Sequence, residues 1–283
     1  MVNRLAKGIS PTLRISDYMN KASDLKRIAR ERLFTRLGTL AGATAIYGII
    51  YGAIGLAILI AFSLNLFTKG VFASIATMED YATKMSSSLV FFLELEGTMI
   101  VVGAIMSTVS VAIMYMALKT ARGQEIKLSD ILYVVKNNPD KVIIIYAIQS
   151  VLLFLVSAPH NVISVYTVGV ESAAIDAIYY AFMIFSYIAD IYITVMFSQA
   201  MFVFIENPQE NAIKCLEMSQ RVMTKNFGRY FMLELSFLPL IILASLSFGI
   251  LYLWVIPYQY TTYALFYMQL KGELGSTIDV TIQ

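Results

Sequence analysis

Between Tyr230 and Leu270 the chain runs for 41 residues with a single charged side chain, Glu234. A helix rises about 1.5 Å per residue and a bilayer core takes roughly 20 residues to cross, so the stretch suits two crossings joined by a tight tip. Ser245, Ser247 and Gly249 mark that tip. Pro257 stands inside the second crossing, where it removes a backbone donor and is expected to kink the helix.

The same plan recurs along the rest of the chain. Of its 283 residues, 58% are hydrophobic and 14% are charged, whereas soluble domains carry about 25% charged residues. The class is a polytopic membrane protein. A net charge of +2 gives no footing for nucleic-acid binding. One cysteine, Cys215, and one histidine, His160, leave no disulfide framework and argue against a transition-metal centre. No P-loop, dinucleotide fingerprint or H-E-x-x-H motif occurs, so no cofactor is expected. The first 36 residues have neither the short apolar region nor the cleavage site of a secretory signal. The first apolar run, Leu37 to Phe67, is therefore expected to stay in the membrane.

The expected fold is an all-α bundle of six transmembrane helices arranged as three hairpins, at 37–67, 89–118, 142–158, 177–205, 230–247 and 251–270. Crossing three is expected to end at Pro159, residues 68–88 to form a polar link, and residues 271–283 to form a short cytoplasmic tail. Cytoplasmic amphipathic segments alternate with the hairpins. In residues 1–36, Tyr18, Ala22, Leu25, Ala29 and Leu33 recur at helical spacing behind Ser16, a possible cap. This helix either docks on the bundle or lies on an anionic membrane face. Residues 129–136 read as a short interfacial helix capped by Ser129, followed by a turn at Asn137-Asn138-Pro139-Asp140. After crossing four, Asn207 and Pro208 are expected to start a helix with Ala212, Leu216, Ser219 and Met223 on one face.

Charge sets the orientation. With the N-terminus inside, 19 of the 21 Lys and Arg residues fall in cytoplasmic segments, and only Lys69 and Lys84 lie outside. An even number of crossings returns the C-terminus to the same side. Crossing one also carries Gly38, Gly42, Gly48, Gly52 and Gly55. Small residues at such spacing let a second helix approach, either within the bundle or from another copy.

Four acids, Glu94, Glu96, Asp190 and Glu234, lie in or near the apolar spans, which hold no Lys or Arg. A carboxylate there protonates, finds donors or faces a wet cavity. Tyr187, Asp190, Thr194 and Ser198 share one helix face, expected to point away from lipid. With Gln149, Glu234 and a second stripe of Tyr252, Gln259, Tyr263 and Tyr267, they form a candidate polar cavity for a proton, a cation or a polar substrate. The alternative is a protonated Asp190 acting as packing glue between helices. Glu94 and Glu96, two apart, face different sides and make no catalytic pair. No catalytic residue and no metal ligand set is assigned.

The C-terminal third carries an ordered set of motifs: F-S-Q at Phe197–Gln199, E-N-P at Glu206–Pro208, Ser219, L-E-L-S-F at Leu233–Phe237, F-G-I at Phe248–Ile250, L-W-V-I-P-Y at Leu253–Tyr258 and A-L-F-Y at Ala264–Tyr267. Over residues 197–270 it resembles the DUF975 family, uncharacterised multi-pass membrane proteins of Gram-positive bacteria. The resemblance implies a bacterial plasma-membrane location and brings no activity with it. Pro239-Leu240 stand where that family usually has Gly-Trp, and Ala189-Asp190 where it often has Pro-Gly, so Asp190 is outside the family pattern while Glu234 is inside it.

The function expected from the residues is non-enzymatic work in the cell envelope. The chain would handle a small or lipophilic substrate, or serve as an accessory or immunity-type partner of another membrane protein. Anionic lipids at the cytoplasmic face, another membrane protein or a second copy are the expected partners. Two alternatives are a lipid-processing enzyme using Asp190 or Glu234 and a structural oligomer packed through the glycines of crossing one.

Overall fold

Every element that the structure, a computed structural model, describes over residues 22–68, 73–86, 88–167 and 170–274 is helical. Ser16, Tyr18 and most of the C-terminal tail lie outside the described residues. Helix α1 (Ala22–Phe34) buries Leu25, Ile28, Ala29 and Leu33. It packs on the bundle, which is the docked arrangement and not a helix lying free on a membrane face. Helices α2 (Leu37–Thr68) and α4 (Leu89–Ala121) are 32 and 33 residues long. Between them α3 (Ile75–Ser86) occupies most of what the sequence suggested was a polar link. Reciprocal hydrogen bonds between Ser74 and Thr77, each backbone N–H donating to the other's hydroxyl, start that helix.

The next connection differs in detail from expectation. A 3₁₀ turn (Leu128–Leu132) leads into a single helical turn, α5 (Tyr133–Lys136). Asp130, not Ser129, fixes its start by accepting from Lys127 N–H at 3.0 Å. Asn138 then adopts φ 52°, turning the chain into α6 (Pro139–Tyr166). This helix continues through Pro159, which was expected to end it. A proline inside a helix removes one hydrogen bond, and an apolar bundle tolerates the loss where neighbouring groups satisfy the freed carbonyl.

Crossing four is broken. Helix α7 (Ala173–Phe197) stops at Ser198–Gln199 and resumes as α8 (Ala200–Glu206). Asn207 ends α8, its N–H donating to Val203 O and Phe204 O, so it does not start the next helix. That role falls to Asn211, whose side chain accepts from Lys214 N–H at the start of α9 (Ala212–Met223). The face foreseen for α9 is the buried one: Ala212, Leu216, Ser219 and Met223 are all buried. Crossing five is broken as well, into α10 (Phe227–Leu235) and α11 (Leu238–Leu246). Pro239 cannot donate to the carbonyl four residues back, which accounts for the interruption. Phe248 (φ 54°) and Gly249 (φ 84°) reverse the chain at the foreseen tip. Helix α12 (Tyr252–Leu270) then runs through Pro257.

Among the described residues five segments are long and apolar enough to cross a membrane: Leu37–Leu64, Leu89–Ala121, Pro139–Tyr166, Ala173–Glu206 and Phe227–Leu246. Helix α12, with 19 residues, is not among them. Its Tyr, Thr and Gln residues lower its hydropathy, and Thr261 to Met268 are all buried inside protein. Helix α4 is the hub, packing on α12, α6, α2 and α8. Gly103 on α4 leaves the space that the Tyr146 ring of α6 occupies. The glycines of α2 behave otherwise. Among the described residues a Cβ on Gly38, Gly48, Gly52 or Gly55 would meet nothing within 4 Å, and one on Gly42 would meet Leu128 at 3.9 Å.

The hydrophobic core lies at the end of the bundle that carries the basic loops, around Phe202, Phe204, Phe237, Phe266 and Leu118. Towards the other end, Leu56, Leu59, Leu64, Leu93, Met99, Ile184 and Ile188 stay exposed. Exposed apolar surface on this scale marks contact with lipid or another protein. Phe237, fully buried against Tyr258 and Tyr263, should be the sensitive position of the last hairpin. Phe237→Ala should lower stability by about 3–5 kcal/mol, read as a lower melting temperature in detergent. Phe248→Ala, at a side chain 99% exposed, should leave it unchanged.

Candidate functional site

Glu234 on α10 faces α12 and has no ion pair among the described residues. Tyr263 Oη donates to Glu234 Oε2 at 2.6 Å, and Gln259 Nε2 donates in turn to Tyr263 Oη. Tyr230, one turn before Glu234, lies near it and near Ser198 at the break in crossing four. The Tyr230 ring lies 5.4 Å from that of Tyr263 and 5.3 Å from that of Phe266. Tyr230 and Tyr263 are both buried, and Glu234 is half-buried. Next to them Tyr260 shares a 2.9 Å hydrogen bond with Ser110 of α4. The result is a carboxylate that accepts from one phenol and has a second beside it, with no ion pair among the described residues.

Glu234, Gln259 and Tyr263 of the expected cavity thus come together as a hydrogen-bonded chain, with Ser198 close to Tyr230 beside it. Gln149 lies beside them, its Nε2 donating to Phe197 O at 3.3 Å. The other residues go elsewhere. Tyr187 and Thr194 are exposed, so the face foreseen as pointing away from lipid is an outer one there. Tyr252 pairs with Ser245 at 3.0 Å near the hairpin tip. Tyr267 donates to Glu206 Oε2 at 2.8 Å.

Asp190 belongs to a second cluster, between α6 and α7. His160, expected in a loop, sits inside α6 with Nδ1 3.0 Å from Ser186 Oγ. The Ser186 hydroxyl has carbonyl acceptors at 2.8 Å in Val156 and Phe182. With its single hydrogen given to one of them, Nδ1 of His160 is the donor to Ser186. Asp190 interacts electrostatically with His160. Its Oδ1 is buried and takes no hydrogen bond from the described residues.

The third cluster was not anticipated as a unit. Arg122, just past α4, pairs with Glu206 at the end of α8 and with Glu273 beyond α12 at 2.9 Å. Lys271 pairs with the same two acids. Lys119 and Asp130 add a 2.8 Å pair nearby. A polar cavity of about 390 Å³ opens among Lys119, Arg122, Gln124, Glu206, Asn207 and Lys271. Partial burial alone raises the Glu273 carboxyl, but hydrogen bonds from Lys271 and Arg122 outweigh it and hold the group below its ordinary 4.5. Asp130 behaves alike, burial being outweighed by Lys119 and the Lys127 N–H. Burial lowers the Arg122 guanidinium, yet its two carboxylates more than compensate and raise it. Sequence carried one signal for this cluster: Arg122, Glu206, Lys271 and Glu273 each sit within a few residues of an apolar span's end.

Fold and surface define a helical membrane-type protein whose polar groups are gathered inside the bundle and at one end. A family model described as a protein of unknown function, DUF975, matches residues 19–273. The chain belongs to that family. The match extends well beyond the C-terminal third that carries the recognisable motifs. No curated protein and no solved structure matches the chain.

The ion-paired end makes stability depend on acid. Glu273 and Asp130 have depressed folded values, so their contribution is fully present above their ordinary values and is lost as pH falls through the folded ones. The melting temperature should therefore fall as pH drops below 4.5, and Glu273→Gln should remove part of that slope. At neutral pH, Arg122→Met leaves Lys271 alone with two acids and should cost about 1–3 kcal/mol in the same measurement.

Proposed function

We propose that the chain is a non-enzymatic protein of the bacterial plasma membrane. It crosses six times with both termini cytoplasmic and handles a small or lipophilic substrate in its bundle, with Glu234 taking up and releasing a proton. The observation that carries this reading is the Glu234–Tyr263 hydrogen bond with Tyr230 beside it: a half-buried carboxylate served by a phenol, with no ion pair among the described residues. Intramembrane acids are costly and are retained chiefly where they bind or move something. Support for the sixth crossing comes from α12 itself, since a helix enclosed by protein does not need an apolar surface. Support for the orientation comes from the basic segments, which interlock at one end. Arg32 and Arg36 donate to Ala121 O and Gly123 O, and Lys141 donates to Pro208 O.

Proteoliposomes with a trapped pH indicator test the reading under an imposed proton gradient. The wild type should dissipate the gradient faster than protein-free vesicles. Glu234→Gln should return it to the protein-free rate, and Glu94→Gln, at an exposed acid, should not. A wild type no faster than empty vesicles removes the proton-linked reading.

A second reading, an accessory partner or a homo-oligomer, is favoured by the free face of α2. The apolar window of that helix has no buried residue, and a Cβ on Gly48 or Gly52 would meet nothing among the described residues. Gly48→Leu with Gly52→Leu should leave the melting temperature unchanged and release any partner seen by native mass spectrometry of gently extracted protein.

A further inference from the structure

Helix α1 and the last hairpin leave a groove of about 590 Å³ between them, within the roughly 300–1,000 Å³ of small-molecule sites. Its walls are exposed apolar side chains: Phe34 of α1, Leu243 of α11, and Leu251 and Trp254 where α12 begins. Arg30 and Tyr258 stand at one end. From Leu251 to Tyr258 the helix advances about 10 Å, so the groove follows α12 away from a charged end.

Arg30 differs from the other arginines of its segment. Arg27 pairs with Glu31, and Arg32 and Arg36 donate to backbone carbonyls of the loop after α4. Arg30 is exposed and enters no ion pair or hydrogen bond among the described residues. One turn earlier Lys26 donates to Ser236 O at 2.7 Å, with its ammonium 3.9 Å above the Phe237 ring. The two cations are close enough to repel each other. A positive mouth on an apolar trough, flanked by helices fit to cross a membrane, is the complement of an anionic amphiphile. A phosphate accepts from the guanidinium's fork of N–H donors, and a zwitterionic headgroup such as choline would bring a second cation beside the guanidinium where a net anionic headgroup brings none.

We propose that this groove holds one anionic phospholipid, its phosphate on Arg30 and an acyl chain along Phe34, Leu243, Leu251 and Trp254. Anionic headgroups collect where basic segments such as the one that carries Arg30 meet a bilayer. The assignment does not depend on the proton-linked reading of Glu234, and its test does not involve transport.

The test takes the full chain, purified in a mild non-ionic detergent and stripped of lipid. It is incubated with dioleoyl-phosphatidylglycerol, dioleoyl-phosphatidylcholine or oleate, and native mass spectrometry counts what is retained. The wild type should keep one phosphatidylglycerol and little phosphatidylcholine. Arg30→Gln should reduce that retention about tenfold, the size of one lost charge-assisted hydrogen bond, and Arg30→Lys should restore part of it. Leu243→Trp, which fills the trough from an exposed position, should reduce it likewise. Arg27→Gln, on the same helix but outside the groove, should not. Equal retention by Arg30→Gln and wild type overturns the proposal, as does equal loss in Arg27→Gln or equal binding of phosphatidylcholine. Oleate held in preference to phospholipid, or a second protein chain retained with no lipid, also overturns it.

Discussion

A break in a helix that crosses an apolar medium exposes backbone groups that water cannot reach, and this bundle depends on how its breaks are filled. At Ser198–Gln199 the Gln199 N–H donates to Ser219 Oγ at 3.2 Å, and the same hydroxyl donates to Met196 O at 2.8 Å. Gln149 reaches Phe197 O from the other side. At Ser236–Phe237 the carbonyl of Ser236 accepts from Lys26. Each break is filled by a side chain from another helix, and both helices that approach from the basic end, α9 and α1, contribute one. Their amphipathic patterns therefore record service to the backbone of the crossings. Ser219 is fully buried for that reason, although it is a hydroxyl on a helix that sequence alone places at the surface.

The same breaks explain why the polar centre lies where it does. The interruption of crossing four places Ser198 opposite Tyr230, and the interruption of crossing five follows Glu234 by two residues. Phenols and amides that would be stranded along one unbroken helix can then converge on one carboxylate. At the basic end, Arg122, Lys271, Glu206 and Glu273 tie together the ends of α4, α8 and α12. Stability is thus concentrated at one end of the bundle, and the opposite halves of α2 and α4 share little contact beyond an open apolar groove lined by Gly55, Phe62, Glu94 and Met99.

Much of the fold was legible because hydropathy reports length. Apolar runs suggested six spans, of which five are long and apolar enough among the described residues, and Gly249 marked the tip, where φ 84° favours a residue without a Cβ. The buried face of α9 was legible because its period matches its burial. The breaks were not, since hydropathy averages over them, and a serine and a glutamine in a long apolar run look like ordinary polar insertions. Helical periodicity placed Tyr187, Thr194 and Ser198 on one face but could not show which end of that face meets a neighbour. Ser198 does, while Tyr187 and Thr194 are exposed. The cap of α9 was misplaced by four residues because Asn207 and Asn211 are equally good N-cap types, and only the hydrogen bonds of α8 commit the first to ending a helix.

Asp190 and Glu234 looked alike in sequence, as lone acids in apolar helices, and the structure separates them. Asp190 meets one residue of opposite potential charge, His160, at a two-helix interface and leaves one oxygen without a donor. Glu234 sits where four helices contribute: its own, α12 through Tyr263, the break of α7 through Ser198, and α4 through the adjoining Tyr260–Ser110 pair. The motifs that carried the family resemblance converge on the same region. Ser198, Gln199, Ser219, Glu234, Ser236 and Phe237 are all motif residues, and each either fills a break, borders one or joins the carboxylate cluster. A change at Glu234 therefore disturbs groups that also hold the crossings together. A change at Asp190 acts on one helix pair, so loss of stability and loss of function can be told apart more cleanly there.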